Sequence, residues 1–216
     1  MATQRRIINP APPSLPLGPE KYERRYQDQY SNVLRLYFNQ LRNSLTELLG
    51  ITGGRYIGFP YGAFSSSVDQ TATANTATLM TLNFVDFVRG VGIDNSKIIA
   101  ASPGIYNLQF SAQFQNTDTA IQDISIWLKQ NGTDIPGSTG LVSIPARKSA
   151  SAGEEAHEII GWNYFLSMNA GDYVEIYWST TSATVTIQAY PAFTGPVRPS
   201  TQSVVATLSF VSALPT

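Results

Sequence analysis

The chain has 216 residues, enough for one sizeable core and one or two domains. Charged residues make up 13% against 43% hydrophobic, and 14 basic side chains balance 15 acidic ones to a net charge of −1, so no whole-chain field draws nucleic acid or an anionic membrane. With no cysteine, disulfides, zinc-thiolate sites and iron–sulfur clusters are excluded, and stability has to come from packing or assembly.

Residues 1–19 carry Pro10, Pro12, Pro13, Pro16 and Pro19. That density blocks helix and sheet hydrogen bonding and predicts an extended, polyproline-like arm of about 55 Å reach. Arg5 and Arg6 are not followed by an apolar run long enough for a secretory signal, so no Sec export is expected. No apolar run anywhere is long enough to span a membrane.

Residues 20–50 read as one long helix. Pro19 suits a first helical position, Glu20 and Glu23 suit the positive end of its dipole, and Gly50 suits the left-handed residue that ends a helix. Leu34, Phe38, Leu41, Leu45 and Leu48 recur at spacings of four and three, the seam of a left-handed coiled coil. Tyr26, Tyr30, Val33 and Tyr37 widen this apolar face. A lone helix of such length is marginal in water and needs a partner. Either the β-region of its own chain or copies of the helix could serve, and the seam spacing favours copies.

Residues 51–62 hold Gly53, Gly54, Gly58 and Pro60 and read as a connector. From 63 to 216 the pattern is β, in segments such as "TLMTLNF", "KIIAA", "GIYNLQFSAQFQ", "DISIWLKQ", "EIIGWNYFLSM", "DYVEIYWST", "TVTIQAY" and "VVATLSFV". Tyr106, Leu108, Phe110, Ala112 and Phe114 alternate with Asn107, Gln109, Ser111 and Gln113, giving one core face and one polar face. Ile124, Ile126 and Leu128 alternate with Trp127, which sets Trp127 on the opposite face. Asn131-Gly132 is a two-residue hairpin signal. Many antiparallel strands without intervening helices predict a mainly β sandwich of jelly-roll type.

The chemistry of catalysis is sparse. The only histidine is His157, beside Glu154, Glu155 and Glu158, and it reads as an ordinary strand or loop residue. There is no nucleophile elbow, phosphate-binding loop or dinucleotide fingerprint. No enzyme activity, cofactor or metal is therefore expected. Trp178, Tyr190 and Phe193, near predicted strand ends, are candidates for stacking on a ligand such as a sugar.

The segments "SKIIAASPGIYNLQFSAQF", "DISIWLKQNGTDIP", "WNYFLSMNAGDYVEIYW" and "PSTQSVVATLSFV" cover most of 96–211. In that order they resemble the complement-type globular head, a tumour necrosis factor-like jelly roll, in the version carried by virion proteins of tailed bacteriophages. The leader "RRIINPAPPSLPLGPEKYERRYQDQYSNVLRLYFNQL" is similar to leaders on phage structural proteins. The resemblance implies a homotrimer whose helices form a stalk through Leu34, Phe38, Leu41, Leu45 and Leu48. It implies an arm, with Arg5, Arg6, Ile7, Ile8, Pro10, Pro12 and Pro13, that anchors the trimer to tail, portal or capsid proteins. The product would be made in the host cytoplasm and reside in the virion, with the jelly-roll head contacting a host-surface glycan or protein. A passive head-fibre or capsid decoration is the alternative, and a glycan-degrading tail enzyme a more distant one. The collagen-like leader of animal complement proteins is missing.

Overall fold

The computed structural model describes residues 10–15, 17–49, 58–149 and 154–214, with helix side chains described to residue 46. The chain divides into two compact units, Met1–Gly58 and Phe59–Thr216.

In the first unit, residues 10–15 have no regular structure, and the one helix among the described residues is α1 (Arg24–Leu49). The helix starts later than Pro19 predicts. Residues 20 and 21 bend, the first turn holds no acidic residue, and the Gln27 amide donates to the Glu23 carbonyl at 3.2 Å. Pro19 fixes only its own φ, whereas a helix begins where its backbone ladder first closes. Gly50 lies outside the described residues.

The second unit opens with β1 (Tyr61–Ser66), β2 (Gln70–Thr71), β3 (Thr78–Leu79), β4 (Phe84–Arg89), β5 (Val91–Asp94) and β6 (Lys97–Ala100). Then come β7 (Gly104–Asn116), β8 (Gln122–Gln130), β9 (Thr133–Asp134), β10 (Gly140–Ile144), β11 (Ala156–Met168) and β12 (Tyr173–Thr180). The last are β13 (Val185–Ile187), the hairpin β14 (Phe193–Thr194) with β15 (Val197–Arg198), and β16 (Val204–Ser212).

All pairings are antiparallel. One sheet runs β4-β1-β16-β7-β11, with β13 and β2 continuing beside the far end of β7; the other runs β5-β6-β12-β8-β10. If the eight principal strands β1, β6, β7, β8, β10, β11, β12 and β16 are lettered A to H, the sheets read A-H-C-F and B-G-D-E. That is jelly-roll order.

The two sheets close on a core that follows the alternation. Tyr106, Leu108, Phe110, Ala112 and Phe114 are buried from β7, opposed by Ile124, Ile126 and Leu128 from β8 and by Val174, Ile176 and Trp178 from β12. Each fully buried large apolar side chain contributes about 1.5–3 kcal/mol. Trp127 lies half-buried on the outer face of its sheet, 5.9 Å from the ring of Tyr177. Asn131 and Gly132 both have positive φ, 52° and 78°, as the hairpin between β8 and β9 requires.

The segment "TLMTLNF" is not one strand: β3 stops at Leu79 and β4 starts at Phe84. Side chains replace the ladder between them. Gln70 accepts from the Thr81 amide and donates to the Thr81 carbonyl, and Ser96 Oγ accepts from the Leu82 amide. Backbone groups satisfied this way need no paired strand.

Candidate functional site

Along α1, Leu34 and Leu41 are half-buried while Phe38 is 58% and Leu45 46% exposed. Tyr26 stacks on Tyr30 at 6.2 Å and Tyr37 packs on Phe38 at 5.7 Å, so the aromatic stripe is ordered along the helix itself. The side chain of Leu48 is outside the described residues, as are Arg5, Arg6, Ile7 and Ile8; Pro10, Pro12 and Pro13 lie in the irregular segment before the helix.

The second feature is the outer face of the β7-containing sheet. Register places Phe87, Ala63, Thr207, Gln109 and Asn163 in one row, and Phe84, Ser65, Val205, Ser111 and Gly161 in the next. No Asp, Glu, Lys or Arg occupies an outward position of β1, β16 or β7. Exposed apolar side chains stand at both margins, Tyr61, Phe84 and Phe87 at one and Ile159 and Phe165 at the other; the β4 margin also holds charge, Arg89 opposite Tyr61 and Asp86, which accepts from Ser65 Oγ at 3.2 Å. Near the middle, Asn107 Oδ1 is shielded from solvent and accepts no hydrogen bond.

A third feature sits at one end of the sandwich, in the excursion between β13 and β16. The backbones of Tyr190 and Thr201 bridge, and the β14–β15 hairpin projects beyond them as a separate two-stranded sheet. The Arg198 guanidinium lies over the rings of Tyr190 at 5.2 Å and Phe193 at 5.7 Å and donates to the Pro191 carbonyl. A cleft of about 500 Å³ opens between the β1–β2 connection and this excursion, walled by Val68, Asp69, Tyr190, Ser200, Thr201 and Gln202. Asp69 holds the far wall by accepting from the Ala189 amide at 2.8 Å. Burial pushes the Tyr190 phenol above its ordinary value, Asp69 and Glu155 add to the rise, and Arg198 opposes it.

Of the three aromatic candidates, Tyr190 and Phe193 therefore lie together, whereas Trp178 does not join them. Its side chain is fully buried and packs edge-on to Phe114. A position near a strand end says nothing of facing, and the alternation of β12 turns Trp178 inward with Val174 and Ile176. Sequence reasoning missed Asp69, Gln202 and Arg198, the first from the β1–β2 connection and the other two from the excursion before β16.

His157 is exposed at the start of β11, with Nδ1 3.1 Å from the Tyr190 hydroxyl. Strand alternation sends its neighbour Glu158 to the other face. Among the described residues no three acidic or histidine side chains gather as a metal site.

No protein-family model matches the sequence, and no curated protein matches it. Among solved structures, the globular domain of the zebrafish complement 1qA protein is similar over 73% of this chain and 100% of its own, at 14% identity and a TM-score of 0.41. The jelly-roll assignment stands on the strand order itself.

Proposed function

We propose that this is a non-enzymatic structural protein that works by self-association: a homotrimeric fibre of a tailed-phage particle. Its N-terminal arm attaches to the particle, α1 forms the stalk, and the head faces outward to touch a host surface. The carrying observation is the outer sheet face, uncharged at the outward positions of three strands and with exposed aromatic and aliphatic side chains at both margins. A face of this size and composition gains by being covered.

The two margins differ, aromatic at β4 and mixed at β11, so one margin of a copy meets the other margin of the next. Such head-to-tail contacts form a ring where the rotation between copies closes, as it does in a three-fold assembly. The exposed Phe38 and Leu45 call for cover of the same kind along the helix. The number three and the phage setting rest on the resemblance of the leader and head segments.

Light scattering on the full chain tests the assembly. We expect three times the chain mass, and a lower mass for a Phe38→Glu, Leu45→Glu double variant; a monomeric full chain sinks the reading. Deleting residues 1–18 should leave the oligomer intact and abolish its incorporation into particles. The passive-decoration reading separates from attachment by one comparison: particles lacking this protein bind host cells normally if it is only a decoration.

A further inference from the structure

The geometry points to the cleft between the β1–β2 connection and the β13–β16 excursion as a binding site for an uncharged, hydroxyl-rich sugar, with Tyr190 as its aromatic wall and Asp69 and Gln202 as its acceptors. The inference names a ligand class for the attachment role proposed above, and it rests on that reading only for where such a sugar would be met.

The cleft volume of about 500 Å³ falls within the range of small-molecule sites, about 300–1,000 Å³. Its composition is that of sugar recognition, an aromatic ring and aliphatic surface for the C–H faces beside polar groups for the hydroxyls. Asp69 is partly committed, since Oδ1 accepts from the Ala189 amide and the Gln188 amide, in its better orientation, donates to both carboxylate oxygens. These bonds hold the carboxylate in place, and its exposed side can still accept from a hydroxyl.

Gln202 supplies an independent sign. Its Oε1 is shielded and accepts no hydrogen bond from the protein, although the residue lines the cleft. A buried acceptor without a donor is costly, so a side-chain rotation that brings Oε1 to a ligand hydroxyl relieves the cost on binding. Ser200 and Thr201 add hydroxyls to the same wall.

Charge chooses the class of sugar. Asp69 inside the cleft repels a carboxylate, and Arg198, which lies over Tyr190 and Phe193 and donates to the Pro191 carbonyl, is not part of the lining. An acidic sugar therefore meets a carboxylate and no cationic side chain among the residues that line the cleft.

The test uses the full chain, titrated with the methyl glycosides of glucose, galactose, mannose and N-acetylglucosamine, with lactose, and with glucuronic acid as the acidic comparison. Saturation-transfer NMR and calorimetry should show saturable binding of at least one neutral sugar and weaker binding of glucuronic acid. Asp69→Asn, which keeps an acceptor for the Ala189 amide, should weaken binding about tenfold. Val68→Trp, at an exposed wall position, should fill the cleft and abolish binding. Failure of every neutral sugar to bind, undiminished binding by Val68→Trp, or a preference for glucuronic acid overturns the inference. Light scattering on the same samples keeps the two readings apart: a monomer that binds sugar removes only the assembly, and a trimer that binds none removes only this site.

Discussion

The indole of Trp178 meets the ring of Phe114 edge to face across the sandwich, centroids 5.6 Å apart and planes at 71°. One residue comes from β12 and the other from β7, so this contact ties the two sheets together at the core. Trp178 Nε1 makes no hydrogen bond, which leaves its contribution to packing alone.

Trp178→Ala should therefore cost about 3–5 kcal/mol, the range for removing a large buried aromatic, and lower the melting temperature by on the order of 10 °C. Trp178→Phe should cost less, because the lost N–H has no partner to strand. A thermal melt followed by circular dichroism checks both, and a Trp178→Ala protein as stable as the parent would contradict the buried placement.

Gly161 sits where β11 crosses Phe110 and Ser111 of β7. A Cβ there would press into the Phe110 carbonyl oxygen and come within 3.0 Å of the Ser111 Cα, both rigid backbone. Gly161→Ala should destabilise the head by about 1–3 kcal/mol, as overpacking does, measured as a shift in urea midpoint.

Val205 projects from the middle of the uncharged face, between Ser65 and Ser111. Val205→Glu leaves the core untouched, so the melting of the fold should change little, but an unpaired charge buried between copies is expensive. Light scattering should show loss of the trimer at unchanged far-ultraviolet circular dichroism. A trimer that tolerates the glutamate would place the interface elsewhere.

Asp172 links two turns: it accepts from the Asn169 amide at 2.7 Å and from Asn131 Nδ2 at 2.8 Å, and these bonds hold its carboxyl below the usual carboxylate range. A depressed folded value adds stability that is fully present above the unfolded value of about 3.9 and is lost as pH falls through the folded one. The melting temperature of Asp172→Asn should thus trail the parent by a constant amount from pH 5 to 8, the gap closing below about pH 4. A gap unchanged at pH 2 to 3 would show that charge is not what the turn uses.

Much of the strand layout was legible from alternation alone, because a sheet buried on one face forces period-two patterning on residues such as Leu108, Phe110 and Phe114. The hairpin at Asn131-Gly132 was equally legible, since its two positive φ angles select those residue types. The start of α1 was not, because it depends on which backbone bond closes first. The short β3 was hidden for a related reason: Gln70 and Ser96, distant in sequence, take the hydrogen bonds that a longer strand would have made.

By itself the sequence determined the fold class, the one amphipathic helix and the scarcity of acid–base chemistry, all of which depend on local periodicity or on residue types present. Only the tertiary structure decided facing and company. It turned Trp178 into the core, left Tyr190 and Phe193 under one guanidinium, and brought Asp69 and Gln202 to the same cleft from segments more than a hundred residues apart. Periodicity reports which side of a strand a residue occupies relative to its neighbours in sequence; which strands and connections then lie beside it is set by long-range pairing, and no local pattern encodes that.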